Sequence, residues 1–469
     1  MARAPQQVLR APAPPEPDET AALVSRVLLP AWDSLRPYES SGTLTLVESG
    51  LAAPAEAAAG ALGPQAGQRS RRVSWLWGPA FVAAIAYVDP GNVAANLTAG
   101  AQYGYLLVWV LALANGMAVL VQYLSAKAGL VTGRSLPELL GERMRRGPRL
   151  AYWAQAELVA AATDLAEVLG GAIALQILFG VPLLLGGVIV GVVSMLLLSI
   201  QTRRGQRPFE FVIMGLLLVL TLGFMAGLFV THVSWPAAFN GLVPRFHGTN
   251  SVLLAASMLG ATVMPHAIYV HSALARDRHG AHSTELPRLL RATRWDVVAS
   301  MVVAGAVNIG MLLLAAASLD GVAGTDSIQG ANAAIGQALG PAVAVLFAVG
   351  LLASGLASTS VGCYAGAAVM AGLLKVRIPM LARRAVTLIP ALVVIGTGVN
   401  PTWALVLSQV LLSLGIPFAL IPLVLLTSEH ALMGKHVNSG FMRIVAWVVV
   451  GLIVSLNVAL IVLTAIGAT

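Results

Sequence analysis

The sequence predicts an all-α polytopic membrane protein, and three observations carry that reading. Of 469 residues, 58% are hydrophobic and only 10% are charged, against about 25% charged in a soluble globular chain. The apolar residues gather into eleven runs of roughly membrane-spanning length. Two of those runs are interrupted near their middles by a proline set beside polar groups, as happens where a pair of broken helices faces a shared polar site.

Residues 1–72 stand apart. They are rich in Ala and Pro, with Pro12, Pro14, Pro15 and Pro17 close together, and such a composition predicts a disordered tail. A weak amphipathic patch lies around 23–35, and no apolar core near the start suggests a cleaved leader. From residue 73 the expected spans are 75–99, 104–129, 149–179, 182–202, 208–232, 251–275, 295–318, 338–369, 385–399, 402–426 and 442–466. The ninth is short and contains Pro390.

The net charge of +8 is no nucleic-acid signal, because the cations sit in short blocks between apolar runs. Arg69, Arg71 and Arg72 precede span one, and Arg143, Arg145, Arg146 and Arg149 separate spans two and three. Arg203, Arg204 and Arg207 follow span four, while Arg276, Arg278, Arg288, Arg291 and Arg294 surround the loop from six to seven. Lys375, Arg377, Arg383, Arg384, Lys435 and Arg443 continue the alternation, whereas the opposite side offers Arg245 with Asp320 and Asp326. The positive-inside rule then places the N-terminus in the cytoplasm and the C-terminus outside. The single Cys363 excludes a disulfide framework or a cysteine metal cluster. No nucleophile–base pair or hydrolytic metal motif points to an enzyme, and no resident cofactor is expected.

Span one carries Ala86-Tyr87-Val88-Asp89-Pro90-Gly91-Asn92. A carboxylate inside a membrane-length apolar run is expensive and is kept for a purpose. Pro90 lacks an N–H and Gly91 tolerates unusual dihedrals, so an unwound point is expected there. Span six carries Gly260-Ala261-Thr262-Val263-Met264-Pro265-His266, a second interruption. One proline alone would only kink a packed helix, but two in matching places of two five-span halves read as an inverted repeat around a central site. The halves are 73–233 and 234–427, followed by a loop and a last span in 428–469. That last span, without buried charge, is expected to pack outside the ten-helix core.

Asp89 offers a charged oxygen, Asn92 a neutral one and Met264 a soft thioether. Ala86 and Ala261 precede the breaks and offer carbonyls, and Gln409 in span ten offers a further oxygen. Hard ions such as Ca²⁺ and Mg²⁺ prefer oxygen alone, so this mixture suits a divalent transition metal. Span three adds Glu157, Asp164 and Glu167, which share one side of a helix and must face protein or water. Arg383 and Arg384 open span nine and are placed to neutralise part of that charge. The line reads as a proton route, with a structural ion-pair network as the alternative. His266 adjoins the proposed site and suits proton handling, whereas His271 reads as structural or second-layer. Asn308 lies mid-span in seven, and Asp296 at its start is placed for a gate or an ion pair. Glu210 is expected to pair with Arg203, Arg204 or Arg207, and Gly187-x-x-x-Gly191 to permit close helix packing.

Asp89-Pro90-Gly91-Asn92 and Met264-Pro265-His266, in this order and in spans one and six, resemble the two signature motifs of the Nramp family, the natural resistance-associated macrophage proteins, which include bacterial MntH-type manganese transporters. The likeness covers roughly 73–466. It implies eleven spans in a LeuT-like fold, with spans one to five inverted relative to six to ten. It further implies proton-coupled uptake of Mn²⁺, with Fe²⁺ and often Co²⁺, Cd²⁺ and other divalent metals accepted, across a bacterial inner membrane. On that pattern Asp89, Asn92 and Met264 are metal ligands, joined by the Ala86 and Ala261 carbonyls and Gln409. His266 tunes metal and proton coupling. Glu167 and Asp164 resemble the family's proton-handling pair, with Arg383 and Arg384 further along. The long N-terminal tail is the visible departure. One complete pathway per chain needs no partner, so a functional monomer in contact with membrane lipids is expected. A sodium-coupled organic-solute symporter of the same broken-helix type and a passive cation channel are the competing readings.

Overall fold

The computed structural model describes residues 78–279, 286–325, 327–376 and 378–465. The expected tail 1–72, the start of span one and Arg377 lie outside the described residues. Among the described residues, those of 78–142 and 149–465 form one compact unit, and Arg143–Pro148 group separately from it.

The described residues form helices and connecting turns. Span one is α1 (Pro79–Ala84), a 3₁₀ turn (Ile85–Val88) and α2 (Pro90–Tyr103). It is followed by α3 (Val108–Thr132), α4 (Leu136–Arg143), α5 (Arg146–Phe179), α6 (Leu183–Arg204) and α7 (Gln206–Met225), which ends in a 3₁₀ turn (Ala226–Phe229). A short α8 (Trp235–Asn240) leads to span six, split into α9 (Gly248–Thr262) and α10 (Pro265–His279). Next come α11 (Leu286–Ser318), α12 (Ile328–Leu339) and α13 (Pro341–Val369), which passes into a π turn (Met370–Leu374). The chain closes with α14 (Met380–Gly396), α15 (Pro401–Thr427), α16 (His430–Met433) and α17 (Gly440–Ala465).

Among the described residues nine helical segments are long and apolar enough to cross a membrane, not eleven. Two expected spans fall short for identifiable reasons. Span one is divided at Asp89, leaving a ten-residue apolar piece (Pro79–Val88) before the 14 residues of α2. Span nine is α14, only 17 residues long, and it runs through Pro390 without breaking. Span seven starts at Leu286, well before the expected 295, because a polar turn carrying Arg288, Arg291 and Arg294 precedes its apolar run. The short helices α4, α8, α12 and α16 have no membrane-length signature and were not expected.

Packing places both broken helices among other helices. The α2 helix lies along α11, while α3 lies along α10 and α11. The α7 helix packs on α13, and α6 packs on α14. Gly187 and Gly191 of α6 face Leu392, Ile395 and Leu388 of α14, so the small-residue spacing does mark a close helix contact. The α17 helix packs against α9 and α15 and is mostly exposed. In α15, Pro422 has no N–H to offer the Phe418 carbonyl four residues back. The Tyr152 hydroxyl of α5 donates to that carbonyl instead and also meets Tyr269 OH at 2.9 Å.

Candidate functional site

Each break is a consequence of proline chemistry. A proline at position i cannot close a helical bond onto the carbonyl at i−4. Pro90 therefore orphans the Ala86 carbonyl, and Pro265 orphans that of Ala261. Both prolines stand at the first position of a new half-helix, where a missing N–H costs nothing. Asp89 is extended, with φ −78° and ψ 169°, and caps α2 by accepting the Asn92 N–H at 2.7 Å. Its Oδ1 also accepts the Asn92 side-chain amide at 2.8 Å.

The two breaks meet. Asn92 Nδ2 donates to the Ala261 carbonyl at 3.0 Å. The Thr262 hydroxyl donates to Met258 at 2.6 Å and stands 3.4 Å from Asn92 Oδ1. Asp89, Asn92 and Met264 are all fully buried. Asp89 Oδ2 has no hydrogen-bond partner, nor does either amide atom of Gln409. A Cβ on Gly91 would collide with the Gln409 amide, so only glycine lets that side chain lie against the break. Likewise a Cβ on Gly170 of α5 would strike the ring of Pro90. Among the described residues no three His, Cys, Asp or Glu side chains converge on one point. The breaks instead bring together one carboxylate, the Asn92 and Gln409 amides and the Ala261 carbonyl.

Two other carbonyls of the first break are taken. Asn308 Nδ2 donates to Tyr87 O at 2.7 Å, while Asn308 Oδ1 accepts from Asn96 at 2.9 Å. Ser354 Oγ donates to Val88 O at 2.5 Å. The Tyr87 hydroxyl accepts from Gln122 at 2.7 Å, and Gln122 Oε1 lies 2.6 Å from His271 Nδ1. Asn96, Gln122 and Ser354 were not anticipated, since lone polar residues in apolar helices give no sequence signal for their partners.

The three acids of α5 are resolved into different roles. Glu167 is fully buried, its two carboxylate oxygens have no hydrogen-bond partner, and it feels the charges of Asp164 and Asp89. Ser358 stands beside it but donates to the Ser354 carbonyl at 2.8 Å. Asp164 pairs with Arg384 and accepts from Thr359 at 2.9 Å. Arg384 Nε in turn donates to Ser194 at 2.8 Å. Glu157 pairs with Arg383 at 2.6 Å. His266 is buried with both ring nitrogens unpartnered and lines a narrow cavity with Gln155, Val159, Pro265, Tyr269 and Gly366.

Asp296 differs in kind from the expectation: it accepts from the backbone N–H of Ala80 at 3.2 Å and of Gly78 at 3.3 Å, so it caps the start of α1. Glu210 pairs with Arg278 at 2.5 Å and accepts from Gln206 at 2.6 Å, while Arg207, one of its expected partners, also acts on it through its charge.

Comparison with known proteins agrees with this geometry. The natural resistance-associated macrophage protein-like family matches residues 80–463. A divalent metal cation transporter MntH of Mycobacterium tuberculosis H37Rv is 62% identical over 402 residues, covering 85% of this chain and 94% of that protein. A crystal structure of the Eremococcus coleocola manganese transporter superposes with a TM-score of 0.75 at 29% identity, covering 83% of this chain and 86% of that one. MhsT, solved with L-phenylalanine, shares the fold alone, with a TM-score of 0.54 at 14% identity over 83% of this chain and 99% of its own. The chain is a polytopic membrane protein of LeuT-like fold and belongs to the Nramp family.

Proposed function

We propose that this protein is a symporter that imports divalent transition metals together with protons by alternating access, with Mn²⁺ foremost. The observation that carries the reading is the meeting of the two helix breaks, where Asp89 Oδ2 is buried and unpartnered beside Asn92, Ala261 O and the Gln409 amide. The names of the Mycobacterium and Eremococcus proteins support the same cargo class.

In this reading Asp89, Asn92, Met264, the Ala86 and Ala261 carbonyls and Gln409 hold the metal, which is substrate rather than cofactor. Fe²⁺ shares the ligand preferences of Mn²⁺, and Co²⁺ and Cd²⁺ suit the thioether. Binding turns the Asn92 amide so that its oxygen faces the cation and the Ala261 carbonyl is released. Proton and metal compete for the Asp89 carboxylate, so loading displaces its proton. Glu167, which senses both Asp89 and Asp164, receives that proton and passes it along the α5 acids toward the cytoplasm. Arg384 and Arg383 hold Asp164 and Glu157 along this route. An inside-negative potential favours entry by about 2.3 kcal/mol per charge per 100 mV.

The same reading counts the divided span one and the short α14 as crossings, restoring eleven spans. Residues 73–233 and 234–427 form the inverted halves, and 428–469 add a loop and the last span. The arginine-rich loops lie on the cytoplasmic side of a bacterial inner membrane, with the C-terminus outside. One chain holds one pathway and works as a monomer among lipids, without nucleic-acid partners.

Calorimetric titration of the purified protein with Mn²⁺ tests the site. The reading expects saturable binding that disappears in Asp89→Ala and weakens in Asn92→Ala and Met264→Ala. Undiminished binding in Asp89→Ala refutes it.

A further inference from the structure

The break in α1–α2 exposes more backbone oxygen than the site uses. Pro90 denies a donor to Ala86, and by a 3₁₀ closure to Tyr87. The Asn92 N–H turns to Asp89 Oδ1 at 2.7 Å and so serves the cap. The two carbonyls nearest Asp89, those of Tyr87 and Val88, are then held by Asn308 of α11 and Ser354 of α13. Neither side-chain donor goes to Ala86.

Ser354 departs from the habit of its helix. A helical serine commonly bonds back to a carbonyl three or four residues earlier. Ser358 does so to Ser354 at 2.8 Å, and Ser360 to Leu356 at 2.8 Å. Ser354, fully buried, instead reaches across to Val88 at 2.5 Å.

We propose that Ser354 is a specificity-determining residue that withholds the Val88 carbonyl from the cargo and thereby disfavours calcium-like ions. This rests on the reading that Asp89 holds the metal. Ca²⁺ takes six to eight oxygen ligands in flexible geometry. The Asp89 site is rich in carboxylate, amide and carbonyl oxygen yet gives one position to sulfur. A Val88 carbonyl turned toward the cation adds a hard ligand beside Asp89. Holding it against α13 keeps the oxygen count low and leaves the Met264 thioether decisive. Ser354 is a positioning residue here: it acts through the Val88 carbonyl and does not touch the metal.

The test is Ca²⁺ inhibition of Mn²⁺ uptake by the full chain in proteoliposomes. Ser354→Ala is expected to lower the half-inhibitory Ca²⁺ concentration about tenfold, the scale of one hydrogen bond. Ser354→Thr, which keeps the hydroxyl, is expected to restore native discrimination, and Ser354→Cys, a weaker donor, to fall between. A loss of packing alone lowers the rate of all variants without moving the Ca²⁺ to Mn²⁺ ratio. Native discrimination in both Ser354→Ala and Ser354→Cys overturns the proposal while leaving the metal site intact. Should Ser354→Ala fail to insert, native discrimination in Ser354→Cys suffices to overturn it. Undiminished Mn²⁺ uptake in Asp89→Ala, run in parallel, overturns the site reading itself and this proposal with it.

Discussion

The side-chain amide of Asn92 donates to the Ala261 carbonyl at 3.0 Å, so a residue of the first helix break occupies the backbone oxygen freed by the second. Ala261 lies four residues before Pro265, as Ala86 lies four before Pro90. The same geometric rule thus produces both openings. In the proposed site the cation replaces this bridge between an amide on one side and a carbonyl on the other, each presenting oxygen once the amide turns.

Pro265→Ala returns a donor to the Ala261 carbonyl and favours a continuous helix through Met264. Mn²⁺ uptake is expected to fall at least about tenfold, the effect of losing an interaction worth one hydrogen bond. Thermal stability in detergent is expected to hold or rise. Transport assays and melting curves on one preparation separate the two effects.

Gly91→Ala drives a methyl group into the Gln409 amide. That amide is the free end of a flexible side chain and swings aside at little cost in stability. Melting temperature is expected to stay near the native value while uptake drops, because the displaced amide no longer lies against the break. The double variant with Gln409→Ala is expected to take up Mn²⁺ no worse than Gly91→Ala alone.

Arg384→Ala strands Asp164 in a buried setting after removing its ion-pair partner. Breaking such a pair costs about 3–5 kcal/mol. Arg384→Ala is therefore expected to be the least stable single variant of the α5–α14 line, and Asp164→Asn with Arg384→Gln to recover part of the loss. Melting curves of the three variants decide this.

A fourth expectation concerns acid stability outside the membrane helices. Glu138 reaches back to Ser135, whose N–H it accepts at 2.7 Å and hydroxyl at 3.0 Å, and it pairs with Arg276. Partial burial pushes its carboxyl up, but the Ser135 N–H and the Arg276 charge outweigh this and hold it below the usual range. A depressed carboxyl stabilises the fold above its unfolded value of about 4.3 and loses that contribution as pH falls further. For this partly exposed pair the effect is at most about 1 kcal/mol. Melting temperature is expected to fall between about pH 5 and pH 3 more steeply in the native chain than in Glu138→Gln.

Asp89 and Pro265 were legible because membrane helices make carboxylates and paired prolines conspicuous. Arg383 and Arg384, opening span nine, were legible as partners for the α5 acids, but that Arg384 takes Asp164 and Arg383 takes Glu157 shows only in the fold. Sequence could not reveal that Ser354 and Asn308 hold the carbonyls of the first break, because a buried serine in an apolar helix ordinarily bonds to its own backbone. Nor could it place Arg278 on Glu210, since that contact depends on how span six ends against span five. The spacing of Glu167 put it with Asp164, but only the fold shows that neither of its oxygens is hydrogen-bonded while the charges of Asp164, Asp89 and Arg384 all act on it. Two expected spans fall below membrane length among the described residues, one divided by the break at Asp89 and the other the short α14.

The most direct test of the central claim is Mn²⁺ uptake into proteoliposomes that carry an internal pH dye, comparing the native chain with Asp89→Ala and Glu167→Gln. The account predicts saturable Mn²⁺ entry with internal acidification in the native chain. Both signals vanish in Asp89→Ala, and Glu167→Gln retains Mn²⁺ binding while acidification is reduced. Mn²⁺ entry without acidification, or native behaviour in Asp89→Ala, contradicts it.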